Sequence, residues 1–357
     1  MQSNGNAEKA RSEVTEYYGE TLNTQDDLKT NACLCAEEPA AHIKPVLSQI
    51  HDEVMSKFYG CGSPIPEGLQ GCTVLDLGCG TGRDCYVLSK FVGEQGRVIG
   101  VDMTDQQLEV ANKHIDYHTK QFGYSKPNVT FKKGIIEDLS SAGIEDNSVD
   151  VIVSNCVLNL SPEKEKVFAE IFRVLKPGGE LYFSDVFADR RIPQVLQDDP
   201  VLRGECLSGA MYIEDFRRLL KTLNCADYRV VEEMPLEVTS GVLADKLGDI
   251  GFVSMTVRAF KLPELEDQCE DYGQAVIYKG TIEHAPHGFQ LDDHHYIETG
   301  KVFPVCRNTA LMLTATRFAK HFELVGKGDV HFGLFDCSGS EPTVKHVSGV
   351  GSIGGCC

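Results

Sequence analysis

No apolar run in this chain approaches the length of a membrane span, so a spanning helix is not expected. Positive charge is also short: 34 lysines and arginines face 53 aspartates and glutamates, a formal net charge of −19. An acidic surface repels phosphate backbones and anionic lipid, which argues against nucleic acid or a membrane as partner. Nowhere do two cysteines stand in C-x-x-C spacing, which argues against a structural zinc ribbon. Tryptophan is absent, and that decides nothing about function. Met1 to Tyr18 is polar and acidic, unlike a signal or transit peptide, so the expected location is the cytosol.

Cysteine, by contrast, is plentiful, with 14 in 357 residues. In a cytosolic chain most should be thiols, which favours metal, metalloid or redox chemistry over a disulfide scaffold. With 42% hydrophobic and 24% charged residues the chain reads as soluble and globular, and its length suggests two or three domains.

The stretch Val74 to Cys85, VLDLGCGTGRDC, organises the rest. Val74, Leu75 and Leu77 read as a buried parallel strand. Asp76 lies near its carboxyl end, and Gly78, Gly80 and Gly82 follow at alternate positions, where backbone can approach a ligand closely. A phosphate site would want G-x-G-x-x-G or a P-loop with its Lys-Ser/Thr. Here a carboxylate precedes the glycines, which suits a cationic ammonium and repels phosphate. The pattern D-x-G-x-G-x-G resembles the first motif of class I S-adenosylmethionine-dependent methyltransferases. Arg97 to Val101 reads as a second strand that ends at Asp102, placed for ribose hydroxyls, with Met103 beside it. After a third strand, Ile136 and Glu137 occupy the position that lines the adenine in that class. Asn155 and Cys156 end a fourth strand, where open α/β sheets bind ligands.

The alternation of strands (73–77, 97–101, 129–132, 149–154, 180–184, then 228–237 and 251–260) predicts an α/β fold. Its form is a doubly wound, seven-stranded Rossmann-like sheet. Helices are expected over 46–59, 105–122 and 215–223. The predicted organisation is an N-terminal helical cap (1–70) carrying Cys33 and Cys61, a cofactor-binding domain (71–262), a small α+β domain (263–345) and a flexible tail (346–357). The tract Asp292-Asp-His-His295, with His287, reads as a solvated loop with no metal expected. Cys225, Cys269, Cys306 and Cys337 read as core filler.

O- and N-methyl transfer usually needs a base for the departing proton, and no histidine stands at a core strand end. Cysteines do stand near the cofactor side: Cys156, Cys206 in Arg203-Gly-Glu-Cys-Leu-Ser-Gly209, and Cys61 in a Gly-containing turn. At this point the sequence resembles the arsenite methyltransferases in the form found in animals and algae. The resemblance is carried by Tyr17-Tyr-Gly19, Thr30-Asn-Ala-Cys33, Tyr59-Gly-Cys-Gly62, Asp76 to Cys85, Val153-Ser-Asn-Cys156 and Gly204-Glu-Cys206. It runs over most of the chain and loosens after about residue 263.

That resemblance implies methyl transfer from S-adenosylmethionine to trivalent arsenic, first arsenite and then methylarsenite. Cys61, Cys156 and Cys206 would hold the arsenic, whose soft character suits thiolates. The arsenic lone pair would take the methyl, so no proton leaves the nucleophile and no general base is needed. Cys33 would close a disulfide with a binding cysteine, reset by thioredoxin or glutathione. Cys35 lies two residues on, and which of the two serves stays open, with Thr30-Asn-Ala-Cys33 favouring Cys33. Tyr59 would shield the methyl or simply pack under the cap. A monomer is expected. Two other readings stay open: a class I methyltransferase of a small organic acceptor, and a thiol-rich metalloid-binding protein without turnover.

Overall fold

A computed structural model describes residues 2–17, 39–58, 64–236, 238 and 241–336. Cys33, Cys35, Tyr59, Cys61, Cys337 and the segment 346–357 lie outside the described residues. Helix α1 (Gln2–Glu16) is followed by α2 (Lys44–Leu47) and α3 (Asp52–Ser56). Strand and helix then alternate: β1 (Thr73–Leu77), α4 (Arg83–Val92), β2 (Arg97–Asp102), α5 (Asp105–Lys113), α6 (Ile115–Gln121), β3 (Val129–Lys133), β4 (Val149–Asn155), α7 (Lys164–Val174) and β5 (Leu175–Ala188). Next come α8 (Gln194–Gln197), α9 (Pro200–Gly204), β6 (Met211–Tyr212), α10 (Ile213–Thr222), β7 (Tyr228–Leu236), α11 (Gly241–Leu247) and β8 (Phe252–Phe260).

The sheet runs β3-β2-β1-β4-β5-β8-β7. Its first five strands are parallel, and β8 is antiparallel to both β5 and β7. This is the doubly wound sheet that the alternation predicts, and β6 adds two residues beside Phe187 and Ala188. The parallel strands are apolar throughout because both faces are covered. One face packs Leu75, Leu77, Ile99 and Val101 against Phe168, Ile171 and Phe183. The other packs Val74, Val98 and Val151 against Tyr86, Leu88 and Val92 of α4. Each such side chain contributes roughly 1.5–3 kcal/mol on full burial.

Two predicted helices are broken, each by a histidine. The stretch 46–59 splits because His51 is extended (φ −63°, ψ 137°) and its Nδ1 accepts the Glu53 N–H as a cap. The stretch 105–122 splits at His114 (φ −103°, ψ 8°), whose Nε2 lies 2.8 Å from Glu53 Oε2 and whose ring stacks on His51. Apolar periodicity does not register such polar contacts between helices.

Beyond Phe260 lie β9 (Glu270–Asp271), β10 (Gln274–Tyr278), β11 (Gly288–Gln290), β12 (Tyr296–Glu298), β13 (Val302–Val305), α12 (Arg307–Thr314), β14 (Phe322–Val325) and β15 (Gly333–Leu334). The sheet β13-β10-β14, the hairpin β11-β12 and the ladder β15-β9 surround a second core around Val276, Phe289, Met312 and Phe318. Buried ion pairs join it to the main sheet. Glu180 of β5 meets Arg258 and Arg317, and Arg229 of β7 meets Asp227 and Asp292. Among the described residues, no helix is long and apolar enough to cross a membrane.

Candidate active site

The loop after β1 opens at the switch point of the sheet, where β1 and β4 lie side by side and their crossovers leave in opposite directions. Ligands of open α/β sheets bind there. Gly78, Gly80 and Gly82 all take positive φ (68°, 52° and 84°), but for different reasons. A Cβ on Gly78 would lie 2.5 Å from both γ-carbons of Val157, and one on Gly82 would lie 2.6 Å from Phe131. A Cβ on Gly80 would meet only Gln107 Oε1, at 3.8 Å, because this residue faces the cavity. Gly78→Ala should therefore destabilise the fold by about 2–4 kcal/mol, from the left-handed backbone and the clash together. Val157→Ala should restore only the steric part, a split that urea unfolding of the single and double variants measures.

The cavity is walled by Asp76, Gly78, Gly80, Asp84, Asp102, Met103, Ile136, Glu137, Asn155 and Cys156. From α1, Arg11 and Val14 close it from above, and Phe58 closes one side. Gly82 does not line it; this residue caps α4 and packs on Phe131. Asp102 accepts the N–H groups of Gly80 (2.9 Å) and Thr104 (2.8 Å), so it pins the glycine loop to β2. Asp84 Oδ2 accepts from Asn155 (3.1 Å). Its Oδ1 is buried without a hydrogen bond, with Arg83 Nε at 3.4 Å. Burial, then the charge of Asp84, raises the Asp76 carboxyl well above its usual range, and burial raises Asp102. Three crowded carboxyls, one with a buried oxygen that accepts no hydrogen bond, suit a ligand bearing positive charge.

Two cysteines on unusual backbone follow, Cys156 in the cavity wall and Cys206 behind it. Cys156 (φ 54°) and Cys206 (φ 62°) both sit in the left-handed region, a conformation that costs a non-glycine residue about 1–2 kcal/mol. Their surroundings over-determine it, as expected where strain serves a site. The Cys156 N–H donates to Ser184 O (2.9 Å) and the Cys206 N–H to Arg203 O (3.0 Å). The Cys206 thiol donates to Cys156 O at 3.2 Å. The two sulfurs and a carboxylate oxygen of Asp185 lie within 4.8 Å of one another, all buried. Cys156 is in a disulfide, and Cys206 is free of one.

A family model described as a methyltransferase domain matches residues 69–224, and one described as the arsenite methyltransferase C-terminal domain matches residues 272–348. The chain is 55% identical to an arsenite methyltransferase of Aquipseudomonas alcaligenes, over 96% of this chain and 99% of that one. The chain belongs to the arsenite methyltransferase family. It is also 42% identical to the Homo sapiens arsenite methyltransferase over 87% of this chain and 82% of that one. A crystal structure of an arsenic(III) S-adenosylmethionine methyltransferase from Chlamydomonas reinhardtii superposes with a TM-score of 0.81 at 49% identity, covering 84% of this chain and 100% of that one.

Of the residues singled out from sequence, the structure brings Asp76, Gly78, Gly80, Asp102, Met103, Ile136, Glu137, Asn155 and Cys156 into one cavity and sets Cys206 against Cys156. Cys33 and Cys61 lie outside the described residues. Cys79 and Cys85 pack behind the glycine loop, where a Cβ on Gly100 would touch both sulfurs. Burial pushes Cys79 up to about 11 and raises Cys85, so both stay protonated. Asp185 was not foreseen. It accepts from Asn159 N (3.1 Å), Asn159 Nδ2 (2.7 Å) and Val186 N (2.9 Å), and burial pushes its carboxyl up to about 7. Two contacts of the N-terminal segment leave no sequence signal either. Tyr17 Oη donates to Glu205 at 2.7 Å, and Arg11 bridges Glu137 and Glu163. Such cross-chain polar contacts leave no periodic trace, although Tyr17 and Glu205 both fall inside the resembling motifs.

Proposed function

We propose that this chain transfers methyl groups from S-adenosylmethionine to trivalent arsenic, arsenite first and methylarsenite next. Cys206, Cys156 and Cys61 would be the arsenic-holding thiols. The observation that carries the reading is the apposition of Cys206 to Cys156, which itself lines a carboxylate-walled cavity. Asp76 and Asp84 would face the cofactor's ammonium, Asp102 its ribose, and Met103 and Ile136 its adenine, with Gly80 leaving room for close approach. Bound there, the cofactor supplies an electrophilic methyl on a sulfonium. Arsenic accepts it through a lone pair, so the chain needs no base at the acceptor. The protein's part is to hold the arsenic in place and exclude water, which α1 does by closing the cavity with Arg11 and Val14.

The disulfide at Cys156 supports a requirement for a thiol reductant such as thioredoxin or glutathione. Two equivalents of thiol would open it, leaving two protein thiols and one oxidised disulfide, before Cys156 could take arsenic. We assign Cys33 as the redox partner in this cycle and a monomer as the working unit, acting in the cytosol. The boundaries at 70, 262 and 345 are proposed as those of the cap, catalytic and C-terminal units. The test is titration of the reduced chain with arsenite, with and without S-adenosylmethionine, followed by speciation of the methylated products. Stoichiometric, thiol-dependent binding with methylarsenicals formed is the expected result. Binding without methyl transfer would replace the enzyme with a metalloid-binding protein, and cofactor binding without arsenic affinity would point to a small organic acceptor. In the same assay Cys33→Ser should slow the first methylation more than the second, because two thiols suffice for a monomethylated arsenic. Equal rates for both steps would remove Cys33 from the cycle.

A further inference from the structure

Cys306 and Cys269 form a pair that apolar packing does not explain. Cys306 caps the N-terminus of α12 in extended backbone (φ −68°, ψ 166°). Its sulfur accepts the Thr309 N–H at 3.5 Å, lies 3.3 Å from Thr309 Oγ1 and 3.9 Å from Arg229 Nη2. The Cys269 side chain hydrogen-bonds the same sulfur. Both residues are buried, Cys306 at 1% and Cys269 at 5% exposure, and neither is in a disulfide. The Thr309 N–H and the Arg229 guanidinium both donate to this sulfur, and with Cys269 and Thr309 Oγ1 beside it they stabilise a thiolate. The Cys269 hydrogen bond, then Arg229 and Thr309, hold Cys306 down to about 4 against the effect of burial. A structural cysteine in apolar surroundings is pushed the other way, as Cys225 is, to about 12.

We infer that Cys306 and Cys269 form a second thiol site, one that takes a trivalent arsenical bearing a single organic substituent. Two sulfurs match the two exchangeable positions of such a compound, whereas inorganic arsenite offers three. The exchange is redox-neutral. Two As–O bonds break, two As–S bonds form, and the hydroxyls leave as two waters. One proton comes from the Cys269 thiol and one from solvent. Thiolate character at Cys306 makes it the attacking sulfur.

The way in is a weakly held segment. Cys269 immediately precedes β9, whose pairing with β15 is two residues long. That ladder is extended by Phe335 N–H to Cys269 O and Phe332 N–H to Asp271 O, both 2.8 Å. Phe332 and Leu334 point outward, at 65% and 69% exposure, so β15 adds little apolar anchorage. A two-pair ladder of this kind opens locally at low cost, releasing the backbone that positions Cys269. The site is separate from Cys156 and Cys206 and stands whether or not those residues bind arsenic.

Phenylarsine oxide, which has one organic substituent and two exchangeable positions, is the probe. The full-length, reduced Cys156→Ser/Cys206→Ser chain, without S-adenosylmethionine, should take it up as counted by intact mass under native conditions. Adding Cys306→Ser or Cys269→Ser should each remove one bound equivalent. Peptide mapping of the parent double variant, which needs neither further change, should place one phenylarsenic bridge across Cys269 and Cys306, released by 2,3-dimercaptopropanol. No uptake by the double variant, unchanged uptake after both further substitutions, or a bridge mapped only to other cysteines would each overturn the assignment.

Discussion

Cys206→Ser should leave a folded chain that binds S-adenosylmethionine and no longer methylates arsenic. The hydroxyl of serine can still donate to the Cys156 carbonyl, as the thiol does, and the left-handed backbone at this position is set by its neighbours. The thermal midpoint should therefore move little. Cys206 is not among the residues walling the cofactor cavity, so cofactor affinity measured by titration calorimetry should hold. What changes is the atom offered to arsenic. A hard hydroxyl replaces a soft thiol, one of the three sulfurs is lost, and the arsenic is no longer pinned where its lone pair faces the methyl. Positional loss of this kind costs at least about a hundredfold in rate. Both the first and the second methylation should fall accordingly in a product-speciation assay. Cys206 is the sharper test than Cys156, because Cys156 both lines the cavity and sits in the disulfide. Full activity in Cys206→Ser would sink the thiol site.

The contrast between Cys206 and Cys306 shows what sequence could and could not reveal. The fold was legible because buried parallel strands must be apolar throughout and because a glycine loop after the first strand has few other uses. The cavity was legible for the same reason: Asp76, Asp102, Ile136 and Asn155 all stand at strand ends, and a parallel sheet brings its strand ends together. Cys206 entered through its motif, since nothing in its local pattern says that the chain will fold back onto Cys156, 50 residues away. Asp185 had no such motif. It lies inside β5, where a carboxylate is expected to be excluded, and only the Asn159 amide shows why it is tolerated. From sequence Cys306 reads as filler, because its partners come from three separate segments, around residues 229, 269 and 309. A charge network assembled across that distance has no local signature. The broken helices at His51 and His114 have the same cause.

The network around Arg229 is where a single change should cost the most stability. Its guanidinium is 1% exposed and lies 2.7 Å from Asp227 and 3.3 Å from Asp292. Asn308 donates to the same Asp227 oxygen at 3.0 Å, and His295 Nδ1 lies 2.7 Å from Asp292. Arg229→Leu removes the cation and leaves two buried carboxylates facing each other's field. Loss of one partner from a buried pair costs about 3–5 kcal/mol, which urea unfolding at pH 7 should show directly. The pH dependence carries a sign that separates this account from a simple packing defect. Burial alone would raise Asp292, but the His295 hydrogen bond, the His295 charge and Arg229 bring it down to about 2. In the wild type that depressed carboxyl contributes stability above its unfolded pKa of about 3.9, and the contribution is lost as pH falls toward 2. In the variant, Asp227, which burial already raises, loses its cation, and Asp292 keeps only His295, so both bind protons more readily than they do in the wild type. Lowering the pH then neutralises them and relieves the variant. The stability gap between the two chains should therefore narrow between pH 7 and pH 4. A gap that stays constant would mean that Arg229 acts through its bulk, and that the charge network does not hold the C-terminal domain to the sheet.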